Sequence, residues 1–208
     1  MPKTSSLKFD QMLAVLMTEV IYGRAHFAIT RGLRDADRAV LDTAPRFFAM
    51  TIGTHADSAS VTATRLDDKR SGSVSIHLLL SMALAQAGTF KYATAVEVRR
   101  VVAEAKNCIV RLEPILKALR TRRNETIGHL DSRVIIDPEG FDHEGHASYR
   151  KLERLLEQTG TILNRLFLLY QGTTVPLDLV DVNDYQQALD LIADAKRAQG
   201  GRYEADHK

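Results

Sequence analysis

Three side chains that suit chemistry on a phosphate group stand close together in the chain. Arg123 and Asn124 are adjacent, and His129 follows after four more residues. An unperturbed imidazole has a pKa of about 6.5, so a histidine can take up and release a proton near neutral pH. A guanidinium can bind two phosphate oxygens and stabilise the charge of a transition state. The residue types therefore indicate acid–base chemistry on a phosphate.

The spacing of this motif bears on how its side chains could meet. On a continuous helix, Arg123 and His129 would lie about 120° apart around the axis, with about 9 Å of rise between them. They need not converge on one phosphate within a single chain. Two copies facing across a two-fold axis would build one cleft from four such side chains, and two-fold dimers are the commonest oligomers. Asp131 could fix a tautomer of His129 or cap the local backbone.

The stretch that leads into the motif is basic, although the chain as a whole is not. The 208 residues carry 28 Lys and Arg against 26 Asp and Glu, and this net charge of +2 excludes a bulk polycation that coats nucleic acid. Residues 97–123 hold eight basic and three acidic side chains, which gives +5 locally and −3 elsewhere. Two interpretations stay open: a solvated helix face, or a phosphate-binding track that includes Lys117, Arg120 and Arg122.

Composition and periodicity predict a single all-α domain of five to seven helices. The chain is 45% hydrophobic and 26% charged, as in ordinary globular proteins, and its apolar residues recur at steps of three and four. We expect one domain over residues 1–198 and a flexible polar tail over residues 199–208. The expected helices are a stripe from Phe9 to Val20, a helix from Pro45 to Leu66, an apolar helix capped by Ser73 and ended by Gly88, a repeat from Val98 to Leu119 that Pro114 should kink or divide, a helix from Tyr149 to Tyr170, and a last helix capped by Asn183 and Gln186.

Several other kinds of site find no support in the sequence. A single cysteine, Cys108, excludes an intrachain disulfide and a zinc site with two thiolates, and it lies on an apolar helix face. The segment Asp142–His146 contains His-Glu-Gly-His, one residue short of the zincin spacing, and a polar loop is the favoured interpretation. A phosphate-binding glycine loop and a nucleophile elbow are both missing. We therefore expect no metal and no cofactor.

The N-terminal region predicts a cytoplasmic protein without a membrane segment. The apolar run from Met12 to Met17 stops at Thr18 and Glu19. Such a run is too short for a membrane span, which needs about 18 apolar residues, and it does not follow the pattern of a secretory signal.

The segment 119–131 resembles the Arg-(polar)-x4-His motif of the HEPN superfamily of helical RNA-cleaving domains. The match is carried by Arg123, Asn124 and His129. The chain also resembles the abortive-infection branch of that superfamily over about residues 45–170. The earlier helices that carry this likeness are Phe47-Phe48 through Arg65-Leu66-Asp67-Asp68 and then Ser73 to Leu80.

From the residues themselves we also expect Arg65 and Asp67 to form a local or intersubunit ion pair.

This resemblance implies a metal-independent endoribonuclease that cuts single-stranded RNA in phage defence or in a toxin–antitoxin response. It implies a homodimer with the active cleft at the two-fold axis, and an antitoxin as a further partner. His129 would act as general acid or base, Arg123 would hold the scissile phosphate, and Asn124 would orient His129 or the ribose. Asp131 is outside the minimal motif.

The alternative is a catalytically silent module of the same fold. It would bind RNA, a nucleotide or a protein partner without turnover. In that case His129 is an interfacial histidine and Arg123 a salt-bridge partner.

Overall fold

The structure is a computed structural model that describes residues 8–70, 73–122, 149–178, 180–182 and 184–205. These ranges contain helices and no strand, which confirms the all-α prediction. The described residues form seven α-helices and one 3-10 turn at Ala87–Thr89; the α-helices are α1 (Phe9–Arg34), α2 (Arg38–Leu41), α3 (Pro45–Leu66), α4 (Ile76–Ala85), α5 (Ala95–Arg122), α6 (Tyr149–Gln171) and α7 (Asp184–Ala205).

Helix α1 lies at the centre of the bundle, where it packs against α3, α4, α6 and α7. By length and composition alone it is apolar enough to cross a membrane, as no other helix in the described ranges is. A central helix of a soluble bundle has the same composition, because its side chains face a core on several sides. The predicted stripe is buried at each of its positions: Phe9, Met12, Leu13, Leu16 and Val20.

Helix α3 follows the predicted bounds, whereas α4 begins later than expected. Pro45 occupies the first turn of α3, where its missing N–H costs no helical hydrogen bond. The N-cap of α4 is Ser75 and not Ser73, and the helix starts at the buried Ile76. The packing of the first apolar side chain decides this boundary, since the Ser75 side chain makes no capping hydrogen bond.

Helix α5 is continuous, so the expectation that Pro114 could divide it into two helices is wrong. Pro114 lies inside the helix and removes one backbone hydrogen bond. The turns on either side bury Leu112 and Leu116, and this packing holds the helix together across the proline. At the other end, the Glu97 carboxylate accepts hydrogen bonds from the Thr94 N–H at 2.7 Å and the Thr94 hydroxyl at 2.8 Å.

The connection from α6 to α7 is fastened to the bundle at two points. The Asn164 side chain accepts a hydrogen bond from the Val175 N–H and donates one to the Val175 carbonyl, both at 2.8 Å. The Arg24 guanidinium lies 2.7 Å from the Asp178 carboxylate. Helix α7 then continues to Ala205, so the segment 199–205 that we expected in the flexible tail is helical in its backbone.

Two hydrophobic clusters hold the described helices together. The larger one fills the space between α1, α3, α4, α5 and α6. The smaller one lies where α7 meets α1, α2 and the start of α3, and its buried members are Leu33, Val40, Phe48 and Leu189. The end of α5 belongs to the large cluster, and α7 belongs to the small one.

Candidate functional site

The end of α5 locates the motif in the fold. Helix α5 runs to Arg122, the residue directly before Arg123. Arg123, Asn124, His129 and Asp131 lie outside the described residues, as do the side chain of Arg122 and the segment Asp142–His146. The structure therefore describes the helix end that directly precedes the motif in the sequence.

A buried carboxylate anchors the last turn of α5. Asp67, the C-cap residue of α3, is only 4% exposed. One of its oxygens contacts the Arg120 guanidinium, and the other accepts a hydrogen bond from Nε2 of His77 at 2.7 Å. A carboxylate removed from water needs such partners, because its charge would otherwise be strongly destabilised. Asp67 thus joins the ends of α3 and α5 and the start of α4.

The partners of Asp67 were not those that the sequence suggested. Within the chain, the expected local pair between Arg65 and Asp67 does not form, since the Arg65 guanidinium lies 3.1 Å from the Glu19 carboxylate. Asp67 faces Arg120 instead, 53 positions further along the chain. No local sequence pattern marks this pair, because it depends on how two helices pack.

Further ion pairs surround this anchor. Glu113 lies 3.0 Å from the Arg120 guanidinium and 2.9 Å from Nζ of Lys69. The hydrogen bond from Lys69, followed by that from Arg120, lowers the pKa of Glu113. The neighbouring Asp68 carboxylate accepts hydrogen bonds from Arg70, which hold its pKa well below the usual range.

Asp68, Lys69, Arg70 and Arg120 line an open cavity of about 420 Å³ beside the end of α5. Its described charges compensate one another, since each of the three cations has a carboxylate partner. We name the Asp67 anchor, together with the ion pairs that surround it, the Asp67 cluster. It consists of Asp67, Asp68, Lys69, Arg70, His77, Glu113 and Arg120. The arrangement is suited to holding α5 in place, and a phosphate that reached Arg120 would have to compete with two carboxylates.

The candidate phosphate-binding residues differ in their accessibility. Lys117 is exposed and forms no ion pair with any described residue, whereas the Arg120 side chain is 27% exposed and paired. Upstream on α5, Arg99, Lys106 and Arg111 are exposed as well. The outer face of α5 is thus solvated and basic, which is compatible with both interpretations of the charge run.

Within the described ranges, histidine, cysteine and acidic side chains form no group of three or more that could hold a metal ion. Cys108 is half-buried, and its thiol lies 3.4 Å from the Gln158 side-chain oxygen. The sequence did not draw attention to a pair of histidines, His26 of α1 and His55 midway along α3. The periodicity of either helix does not reveal this pair, because the two rings come from different helices.

The comparison with protein families matches most of the chain. The model of the family HEPN_AbiU2, described as AbiU2, matches residues 6–191. Neither the curated proteins nor the solved structures contain a match to the chain. The matched range covers every helix described above from α1 to α6 and the start of α7. The chain therefore belongs to the AbiU2 family of HEPN-type abortive-infection domain proteins.

Proposed function

We propose that this protein is a metal-independent endoribonuclease that cuts single-stranded RNA in phage defence or in a toxin–antitoxin response. The observation that carries the proposal is the sequence Arg123-Asn124-x4-His129, placed directly after α5 in a chain of the HEPN AbiU2 family. The anchoring of the last turn of α5 by Asp67 supports it, because a catalytic arginine and histidine need a rigid base.

The proposed reaction uses the RNA itself as the nucleophile. The ribose 2′-oxygen attacks the adjacent phosphorus, a new O–P bond forms, and the bond from phosphorus to the 5′-oxygen breaks. As general base, a His129 imidazole takes the 2′-hydroxyl proton and water protonates the leaving 5′-oxygen. As general acid, it protonates the 5′-oxygen and the 2′-hydroxyl proton passes to water. Arg123 holds the phosphate and stabilises its developing charge. The products are a 2′,3′-cyclic phosphate and a 5′-hydroxyl end.

The site is proposed to be complete in a homodimer. If α5 continued in register, the two motif side chains would point about 120° apart, and a second copy would supply the complementary group. Asn124 would orient His129 or the ribose, and Asp131 would support the imidazole. Lys117, with Arg122, would contact the RNA backbone beyond the scissile phosphate.

The direct test is cleavage of a single-stranded RNA by the purified protein in the presence of EDTA. Arg123→Ala and His129→Ala are each expected to reduce the rate by about 10²-fold or more, because each removes a group that acts in the transition state. Arg111→Ala is the matched control, since Arg111 is an exposed arginine of α5. Cleavage that both variants retain in full would contradict the proposal.

A second candidate function is RNA binding without turnover. It is favoured by the exposed basic side chains on the outer face of α5, among them Lys117, which can bind RNA phosphates without any catalytic group. The two candidates differ in a single measurement. A silent module would retain RNA with an affinity that falls as salt rises, and would leave the RNA intact over many hours.

A further inference from the structure

A polar cleft of about 460 Å³ lies between the end of α1 and the start of α6. Three arginines line it, Arg31 and Arg34 from α1 and Arg150 from α6. Clefts that bind small organic molecules commonly have about 300–1,000 Å³. The volume is therefore suited to a ligand of the size of one nucleotide.

The position of this cleft follows from the way in which α5 and α6 pack. The Cys108 thiol lies 3.4 Å from the Gln158 side-chain oxygen, and the Glu104 carboxylate lies 2.6 Å from the Arg165 guanidinium. Residue numbers rise along α6 as they fall along α5, so the two helices are antiparallel. The start of α6, with the cleft, therefore lies at the same end of this helix pair as the end of α5, after which the motif follows in the sequence.

The positive charge of the cleft is only partly compensated. The Arg31 guanidinium lies 2.6 Å from the Glu153 carboxylate, whereas Arg34 and Arg150 form no ion pair with a described residue. Asp35 adds a second carboxylate, so the lining carries three cations and two anions. Arginine binds phosphate oxygens through two parallel hydrogen bonds, and two of the arginines here have no competing carboxylate partner among the described residues. The cleft is therefore suited to a phosphate-containing ligand.

The positive charge continues along α6 beyond the cleft. Arg154 follows Arg150 by four residues, so the two side chains share one side of the helix, and Lys151 lies next to Arg150. All three side chains are exposed, and none forms an ion pair with another residue that the structure describes. Such a row of cations is complementary to successive phosphates of a nucleic acid rather than to a single phosphate.

A flat pair of side chains in the cleft supplies a second kind of contact. Cζ of Arg34 lies 4.0 Å from the centroid of the Tyr149 ring, so the guanidinium is held over the face of the ring. Tyr149 is 36% exposed, and Arg34 is exposed as well. RNA bases stack on both tyrosine rings and arginine guanidinium planes, provided that the base is not already stacked and paired within a duplex.

We propose that this cleft is a subsite for single-stranded RNA, in which an unpaired base stacks on the Arg34–Tyr149 pair and adjoining phosphates contact Arg150 and Arg154. The inference rests on the proposed function, because it takes RNA as the ligand of this protein. It adds a physical reason for a preference for single strands, since a base within a duplex is not free to stack on the pair. None of these residues belongs to the motif, so the subsite contributes to RNA binding and not to the chemical step.

The test measures the affinity of the full chain for labelled RNA by fluorescence anisotropy, with His129→Ala in every protein to prevent the proposed cleavage. The probes are a single-stranded RNA and a blunt-ended duplex RNA of the same length. Tyr149→Ala is expected to weaken binding of the single strand about tenfold, because it removes the ring on which a base stacks, and to change duplex binding by less than about twofold. Tyr149→Phe keeps the ring and should bind the single strand within about twofold of the unsubstituted Tyr149 protein.

Two further variants make the test specific to the cleft. Arg150→Ala removes one phosphate contact, so the slope of log affinity against log salt concentration should become shallower by about 1. Tyr92→Ala is the matched control for Tyr149→Ala. Tyr92 is 53% exposed and lies against Gly172, directly after the opposite end of α6, so its removal should leave RNA affinity unchanged.

The outcomes distinguish failure of the subsite from failure of the proposed function. The subsite is overturned by an unchanged affinity of Tyr149→Ala for the single strand, an equal loss with the duplex or in Tyr92→Ala, a loss in Tyr149→Phe as large as in Tyr149→Ala, or an unchanged salt slope in Arg150→Ala. Each of these results is compatible with RNA cleavage by the unaltered protein. Conversely, single-strand binding that depends on Tyr149, in a protein that leaves the RNA intact, would support the subsite and contradict the nuclease.

Discussion

The Arg120 guanidinium contacts the Asp67 carboxylate across 53 positions of sequence. The contact fastens the last turn of α5 to the end of α3, and the motif begins three residues after Arg120. Because Asp67 is buried and also holds His77, it fixes the position of three helix ends at once.

The first prediction concerns this anchor. Asp67→Asn keeps the size of the side chain but removes its charge, so among the described residues Arg120 retains only Glu113 as a charged partner. We expect unfolding to require about 1–3 kcal/mol less free energy, as measured by urea denaturation. The rate of the proposed RNA cleavage should fall as well, because the last turn of α5 is held less firmly.

The control for that variant is a surface ion pair. Asp194→Asn removes an exposed carboxylate that faces Arg197 within α7, and its side chain is 66% exposed. Exposed pairs contribute about 0–1 kcal/mol, so this change should leave the stability nearly unaltered. An equal effect of the two substitutions would show that Asp67 is not an anchor.

The second prediction concerns the shared cleft of the proposed homodimer. Arg123→Ala and His129→Ala proteins, each inactive alone, are unfolded, mixed in equal amounts and refolded. If catalysis combines Arg123 from one chain with His129 from the other, half of the dimers carry one intact Arg123–His129 pair of the two pairs in their shared cleft. The mixture should then regain about a quarter of the unaltered activity.

The same mixing experiment has a clear opposing outcome. If each site uses Arg123 and His129 of one chain, every site in the mixture lacks a group and no activity returns. Light scattering on each variant alone checks that the dimer itself is retained. A monomeric unaltered protein would contradict the shared cleft directly.

The third prediction concerns the pH dependence of stability. The pKa values of His26 and His55 are lowered by burial in the folded protein, so the unfolded chain binds more protons than the folded chain as the pH falls. Their contribution to stability is present above the unfolded pKa of about 6.5 and is lost as the pH falls below it. Urea midpoints measured at a series of pH values should show this loss.

A double variant isolates the histidine pair in that series. In His26→Leu/His55→Phe neither group can take up a proton, so the slope of stability against pH should flatten below pH 6.5. The carboxylates with lowered pKa values, such as Glu97, Glu104 and Glu113, titrate at more acidic pH and do not account for this range. A slope that is unchanged in the double variant would assign the effect to other groups.

The fourth prediction compares two helical glycines. In Gly53→Ala the new methyl group meets open space, and the better helix propensity of alanine should stabilise the protein by up to about 1 kcal/mol. In Gly32→Ala the methyl group collides with Tyr185, and the net effect should be destabilising by about 1 kcal/mol or more. Thermal unfolding of both variants measures the opposite signs, and a stabilised Gly32→Ala would contradict the close seating of α7 on α1.

The sequence by itself predicted the helical architecture well, because helix formation and helix burial leave a periodic trace in neighbouring residues. The stripe that begins at Phe9 and the proline start at Pro45 are examples, and both are confirmed. Local signals were weaker where packing overrides them. Pro114 therefore does not divide α5, and α4 starts at Ile76 rather than after Ser73.

The motif of Arg123, Asn124 and His129 was also readable from the sequence alone, since its residue types and spacing are local, and the family match agrees with it. Only the tertiary structure decided that Asp67 pairs with Arg120 and that His26 meets His55 beside an apolar cavity. In each case the partners lie on different helices. Their contact depends on the distance and rotation between packed helices, which no periodicity within one helix encodes.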